Sequence, residues 1–189
     1  MKRLSAIMLS ALAALTLAAN VPAQQMMKGD NPTVGGAAMY RSKNIVENAL
    51  NSPVHTTLVA AVKAAGLVDT LAGKGPFTVF APTNDAFDKL PAGTVNTLVM
   101  PENKAMLTKI LTYHVVAGKY DSKKIMQLIR KGKGTATFTT VSGDKLMARM
   151  SGSNVILVDE KGGTSTVTTA DVYQRNGVIH VIDTVVMPD

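Results

Sequence analysis

The sequence predicts an α+β domain in which several short helices come first and a run of antiparallel strands follows. Two observations carry that class. Between residues 44 and 130, apolar residues recur at helical spacing within short stretches that are bounded by capping residues, Gly or Pro. From Thr135 onward the pattern changes to period-two runs rich in Thr, Val and Ile, separated by Ser142-Gly143-Asp144, Gly152-Ser153-Asn154 and Gly162-Gly163. Helices followed by strands make an α+β domain, and no internal repeat is present, so the chain holds one copy of the unit.

The first stretch reads as an export signal. Lys2 and Arg3 precede an apolar run from Leu4 to Ala19, and Val21-Pro22-Ala23 supplies small residues for cleavage after Ala23, which assigns residues 1–23 to a leader. The run is shorter than the roughly 20 apolar residues needed to span a bilayer, and no second stretch is long enough. No cysteine follows it to receive a lipid. The mature chain is expected to be secreted, in a periplasm or outside the cell. Residues 24–40, with Gln24, Gln25, Gly29, Asp30, Asn31, Pro32 and Gly35-Gly36, read as a flexible arm. Its Met26 and Met27 are two thioethers without a nearby histidine, too little for a copper site. The domain proper is placed at residues 41–188.

Within it, Asn44 with Glu47 three residues on predicts a capping box, and Ile45, Val46, Ala49 and Leu50 give the short helix its apolar face. Pro53 opens a second helix through Leu58, Val59, Ala61, Val62 and Ala65 that Gly66 stops, and Leu67 to Leu71 adds a turn. After the Gly73-Lys74-Gly75-Pro76 turn, Phe77-Thr78-Val79-Phe80 reads as a strand. Thr83, Asn84 and Asp85 cap a helix that buries Phe87 and Leu90, and Pro91-Ala92-Gly93 makes a turn. Pro101 opens a helix with Met106, Ile110 and Leu111 on one side, and Tyr113-His114-Val115-Val116 reads as a strand. Ser122 then caps a helix through Ile125, Leu128 and Ile129. A turn at Asn176-Gly177, of a kind that needs positive φ, leads into Val178-Ile179-His180-Val181-Ile182, whose continuous apolarity predicts burial on both faces.

Charge is local. Without Lys2 and Arg3 the 20 basic residues become 18, against 13 acidic ones, a net charge of about +5. The segment with Lys119, Lys123, Lys124, Arg130, Lys131 and Lys133 against Asp121 carries the same excess, so one face or loop holds the positive field. A solvated helix face and a surface for an anionic partner both fit it. Four Phe, four Tyr and no Trp leave little to stack bases, which argues against nucleic acid in an exported chain. With no cysteine, packing alone holds the fold together.

Three segments together resemble a known family. Thr78-Val79-Phe80-Ala81-Pro82-Thr83-Asn84-Asp85-Ala86-Phe87 is similar to the first homology box of fasciclin domains, and Asn176-Gly177-Val178-Ile179-His180-Val181-Ile182-Asp183 to the second. Tyr113-His114 stands between them where the family's tyrosine-histidine motif belongs, and the resemblance covers about residues 41–188. It implies a fasciclin-like fold, a wedge-shaped β-sandwich of antiparallel strands flanked by several short helices. It also implies a role in adhesion between cells or between cell and matrix. Animal matrix members carry an Asp-Ile pair five residues before the Asn-Gly turn that is associated with integrin binding, and here the pair is Asp171-Val172. Its neighbours Thr169, Ala170 and Tyr173 differ from the Glu, Pro and Met of some animal members. An exposed carboxylate beside an apolar side chain suits recognition, and a strand end with a solvated aspartate is the other reading.

No catalytic constellation is legible. The chain has no cysteine nucleophile, no Gly-x-Ser-x-Gly elbow, no phosphate loop and no His-Glu-x-x-His sequence. His114 and His180 lie in apolar stretches, where hydrogen bonds that tie elements together are expected, and two histidines without a placed carboxylate or thiolate make no metal site. The candidate binding residues are therefore Asp171, Val172, Tyr113 and His114, with the basic segment as a second surface and neither metal nor cofactor. The expected function is a non-enzymatic adhesion module, monomeric or weakly oligomeric, for a cell-surface or matrix protein or an anionic surface glycan. The alternative is a carrier of a hydrophobic small molecule between helices and sheet.

Overall fold

Side-chain acceptors set the helix starts. In the computed structural model, which describes residues 31–189, Asn44 Oδ1 accepts from Glu47 N at 2.8 Å and the Glu47 carboxylate accepts from Asn44 N at 2.6 Å. This closes the expected capping box over α1, Ile45–Leu50. A 3₁₀ turn at Pro53–His55 leads into α2, Thr56–Ala65, which ends at left-handed Gly66, and α3 follows at Val68–Ala72. Strand β1, Phe77–Pro82, runs to Thr83, whose hydroxyl accepts from Ala86 N to cap α4, Asn84–Asp88. Helix α5, Thr94–Leu98, stands just beyond the Pro91-Ala92-Gly93 turn; its one buried residue, Leu98, is too little for a periodic signal. A 3₁₀ turn at Pro101–Asn103 opens α6, Lys104–Tyr113. After β2, Val115–Ala117, comes α7, Ser122–Lys131. The meander is β3, Thr135–Thr139; β4, Lys145–Ser151; β5, Asn154–Val158; β6, Thr164–Gln174; and β7, Gly177–Ile182.

Among the described residues these strands form one sheet in the order β2-β1-β7-β6-β5-β4-β3. The pairs are antiparallel except β1 with β7, which run parallel from Phe77↔Gly177 to Pro82↔Ile182. Strand β6 joins the two halves of the sheet: Thr164–Thr166 pair with β5, and Val167 onward pairs with β7. A bridge between Val116 and Thr140 joins the β2 and β3 ends, so the sheet is nearly a barrel. One core lies between the helices and the outer face of β1 and β7, with Leu58, Val62, Leu107, Leu111, Ile179 and Val181. The other lies under α7 within the bent sheet, with Phe80, Tyr113, Ile125, Phe138, Leu146 and Ile182. Alternate residues of β7 thus enter opposite cores, and every residue of that strand is buried, as its continuous apolarity predicts.

The structure corrects several expectations. Tyr113-His114 is not the start of a strand: α6 continues through Tyr113, and His114 caps it. The His114 ring donates from Nδ1 to Ile110 O at 2.8 Å, satisfying a carbonyl that the helix end leaves open, and the β-branched pair Val115-Val116 begins the strand. Asp121, not Ser122, caps α7 by accepting from Lys124 N at 2.8 Å. On α6, Met106 is 58% exposed, and Leu107, 3% exposed, takes the inner position. Residues 31–40 of the supposed arm are folded: Val34 and Met39 are buried, and the Asn48 side chain bonds both backbone groups of Tyr40. The leader at 1–23 and Met26 and Met27 lie outside the described residues.

The Asn176-Gly177 turn has a different reason from the expected positive φ, which neither residue has. Asn176 is buried, accepts from Ile45 N at 3.0 Å and donates to Leu71 O at 2.8 Å and Gly73 O at 2.9 Å, while its carbonyl accepts from Phe77 N at 3.0 Å. Glycine is needed next because a Cβ at Gly177 would stand 2.1 Å from Phe77 O, and one at Gly75 would stand 1.9 Å from Asn176 O. Asn176→Ala therefore strands the Ile45 N–H and two carbonyls. It should lower unfolding free energy by at least about 2 kcal/mol, measured by urea denaturation. A loss below about 0.5 kcal/mol would show that water replaces the amide without cost.

Candidate functional site

The surface where β6 meets the start of α7 gathers the residues that the sequence singled out near Asp171. Strand β6 shifts register against β7 between Val167 and Thr169 and again between Thr169 and Val172. Within that irregular stretch Asp171 has φ 61°, a left-handed conformation that Asp tolerates better than most residues. Its carboxylate is committed: Ser122 donates to it from the backbone N at 2.7 Å and from Oγ at 2.5 Å. With Asp121 on Lys124 N, two carboxylates meet the positive end of α7. Asp171 N–H in turn faces His180 Nδ1 at 3.4 Å, and His180 Nε2–H donates to Tyr120 O at 2.8 Å. His180 also stacks on Phe80 with ring centroids 5.7 Å apart.

This geometry overturns the picture of Asp171-Val172 as an exposed two-part contact. Val172 is 0% exposed and lines an internal cavity, because the residue after the irregularity must point into the helix-side core. Asp171 joins β6 to α7. The neighbour that does reach the surface is Tyr173, whose ring carries Arg41 Cζ at 4.5 Å and Lys119 Nζ at 4.9 Å. Asn31 fixes its backbone, donating to Tyr173 O at 2.7 Å and accepting from Tyr173 N at 3.1 Å. Burial, then the Asp171 and Asp121 carboxylates, push the Tyr173 phenol up. Sequence reasoning passed over Tyr173 and Arg41, since 132 residues separate them and no local pattern links them.

Tyr113 and His114 are also interior. Tyr113 OH donates to Lys145 O at 2.7 Å, and burial holds its phenol above the usual range. His114 accepts at Nε2 from Val186 N at 3.3 Å and donates at Nδ1 to Ile110, so the neutral ring uses both nitrogens. Burial lowers its pKa to about 4. Burial likewise lowers His180 and His55. These bonds make His114 a packing residue that ties the C-terminal segment to α6.

The basic segment divides. Lys119 stands over Tyr173, apart from the helix. On α7, Ile125 and Ile129 are buried and Lys123, Lys124, Arg130 and Lys131 are exposed. Seven residues bring a helix nearly back to the same side, so Lys123 shares a flank with Arg130, and Lys124 with Lys131. Arg130 and Lys131 also oppose the negative helix end. Lys133 is exposed in the following turn.

A cavity of about 80 Å³ lies between the helices and β1 and β7, lined by apolar groups with His55 and His114. His55 Nδ1 pairs with Ser52 Oγ at 2.8 Å, while its buried Nε2 has no partner among the described residues. Sites for drug-sized ligands run to roughly 300–1,000 Å³, so this space accepts a few heavy atoms unless the helices move. Among the described residues no group of three or more His, Cys, Asp or Glu is placed to hold a metal ion.

The family model for the fasciclin domain matches residues 53–188. Protein sll1483 of Synechocystis is 47% identical over 155 residues, covering 82% of this chain and 79% of that protein. The immunogenic protein MPB70 of Mycobacterium bovis is 36% identical over 164 residues, 84% of this chain and 76% of the relative. The cell surface glycolipoprotein MPB83 of the same species is 35% identical over 164 residues, 84% and 67%. In structure, a domain pair from the insect cell adhesion molecule Fasciclin I is similar with a TM-score of 0.66 at 19% identity, over 75% of this chain. The chain spans half the length of that pair, and the likeness concerns the fold.

Asp171→Ala removes the carboxylate at the start of α7 and places Ala at positive φ, so it should cost about 1–2 kcal/mol of stability in urea. Unchanged stability with lost attachment to cells would return Asp171 to direct recognition. The buried imidazoles also set a pH dependence. They stay neutral in the folded chain but take up protons in the unfolded chain below about pH 6.5. Their contribution is full above that pH and is lost as pH falls; for His114 it declines down to its folded pKa of about 4. His114 alone then accounts for about 3 kcal/mol over that window. Urea midpoints should fall between pH 6.5 and 5, above the main carboxylate range, and a flat profile there would contradict burial of the neutral rings.

Proposed function

The chain belongs to the fasciclin-domain family, and from that premise we propose that it is a non-enzymatic, extracytoplasmic attachment module for a cell-surface or matrix partner. The observation that carries this reading is the division of labour between inside and outside. The three histidines are buried, and Asp171 is committed to a structural bond. The Arg41–Tyr173–Lys119 stack and the cations of α7, by contrast, lie toward solvent. Reactive groups in such an arrangement hold the fold, and charged and aromatic groups face outward, where recognition takes place.

Relatives support the setting. One is described as a cell surface glycolipoprotein, and the structural neighbour comes from an insect cell adhesion molecule. The basic leader sequence fits export to a periplasm or beyond, and among the described residues no helix is long and apolar enough to cross a membrane. The carrier alternative finds less support, since the internal cavity holds only about 80 Å³.

Purified chain should bind intact cells or isolated envelope in a saturable manner. Near 1 M salt the screening length falls to about 3 Å, so association should be slower there. Lys131→Gln with Lys133→Gln should slow association at low salt and leave the urea midpoint unchanged. Non-saturable uptake, or none, would refute the attachment reading, and identical rates for variant and parent at all salt concentrations would remove α7 from it.

A further inference from the structure

A groove of about 580 Å³ opens between the loop before β1 and the β6–β7 turn. Ala72 to Pro76 form one wall, Gln174 to Gly177 the other, and Lys119 reaches in from the stretch after β2. Three cations line it, Lys74, Lys119 and Arg175, and all three are exposed. No carboxylate is among its lining residues. The nearest acidic partner described is Glu47, 3.9 Å from Arg175 with both side chains about half exposed or more, a weak pair that leaves the guanidinium able to exchange. Lys119 also shares the Tyr173 ring with Arg41, at 4.9 Å and 4.5 Å from its centroid, so a fourth positive charge stands close to Lys119.

The floor is held in place before any ligand arrives. Asn176 ties the turn to Gly73 of the facing wall and to Leu71 just before it, and Gly75 and Gly177 pack against backbone with no room for a side chain. A fixed site of this kind spends little free energy on ordering when it binds.

The lining also selects the ligand class. Ala72 and Pro76 are its largest apolar side chains, so an aromatic or leucine anchor of a protein partner finds no pocket. Oxyanions and hydroxyls find cations and glycine-rich backbone, in a volume within the roughly 300–1,000 Å³ of small-ligand sites. We propose that this groove binds a short stretch of acidic polysaccharide, its carboxylate or sulfate groups on Lys74, Lys119 and Arg175. The assignment rests on the attachment reading and names its partner and place.

Calorimetry of the purified chain with an oligogalacturonate tetrasaccharide and a heparin-derived tetrasaccharide separates carboxylate from sulfate as the recognised group. Saturable binding of either is the expected result. The triple variant Lys74→Gln, Lys119→Gln, Arg175→Gln should bind at least about tenfold more weakly, since each charge-assisted contact is worth about a factor of ten or more. The control triple Lys104→Gln, Arg149→Gln, Lys161→Gln, outside both the groove and α7, should change affinity by less than about threefold if bulk charge is not the cause. All six positions are exposed, and circular dichroism checks that both variants fold. Absence of binding to both saccharides, equal losses in the two triples, or equally tight binding of an acidic peptide of the same charge would overturn the assignment. A chain that attaches to cells yet ignores both saccharides would sink the groove alone. Saccharide binding that depends on the groove, without attachment to cells, would sink the attachment reading alone.

Discussion

One buried amide organises the centre of this domain. Asn176 bonds the first backbone N–H of α1, the end of α3 and the loop that enters β1, and its own carbonyl receives the first N–H of β1. Strand β7 begins at the next residue, so the amide sets where the parallel β1–β7 pair starts. Both cores depend on that register, because a slip of one residue would send Ile179 and Val181 into the barrel and Ile182 toward the helices. The glycines beside it matter for space, at Gly177 and Gly75, more than for conformational freedom.

Much of this architecture was legible in the residues. The capping box at Asn44, the stop at Gly66, the cap at Thr83 and the turns of the meander stand where local chemistry puts them, because each is decided within four or five residues. What failed depended on tertiary partners. His114 reads as strand from its apolar neighbours, yet Ile110 O and Val186 N draw it to a helix end. Ser122 is a good cap by composition, but Asp171, 49 residues away, takes its N–H and hydroxyl. Parallel pairing of β1 with β7 has no local signature at all.

The candidate site was less legible than the fold, for a related reason. The strongest motifs, Tyr113-His114 and the stretch from Asn176 to Asp183, mark interior joints, since a bond between distant elements tolerates few alternatives. The exposed charged and aromatic groups are instead scattered in sequence: Arg41, Lys74, Lys119, Tyr173 and Arg175 come near one another only after β6, β7 and the loop before β1 come together. Asp171-Val172 looked exposed because a strand end commonly is. The register shifts in β6 turn the valine inward and the carboxylate toward α7.

The parallel β1–β7 pair has a consequence for how the chain comes into being. Strand β1 lies second in the sheet, between β2 and β7, yet one of its two partners is the last strand in the chain. Neither core can close until residues 177–182 are available, because Ile179 and Val181 belong to one core and Ile182 to the other. Contacts of such long sequence separation form late and slowly. The earlier helices and hairpins therefore lack a closed core until the final strand joins β1, which couples both cores to a single late pairing.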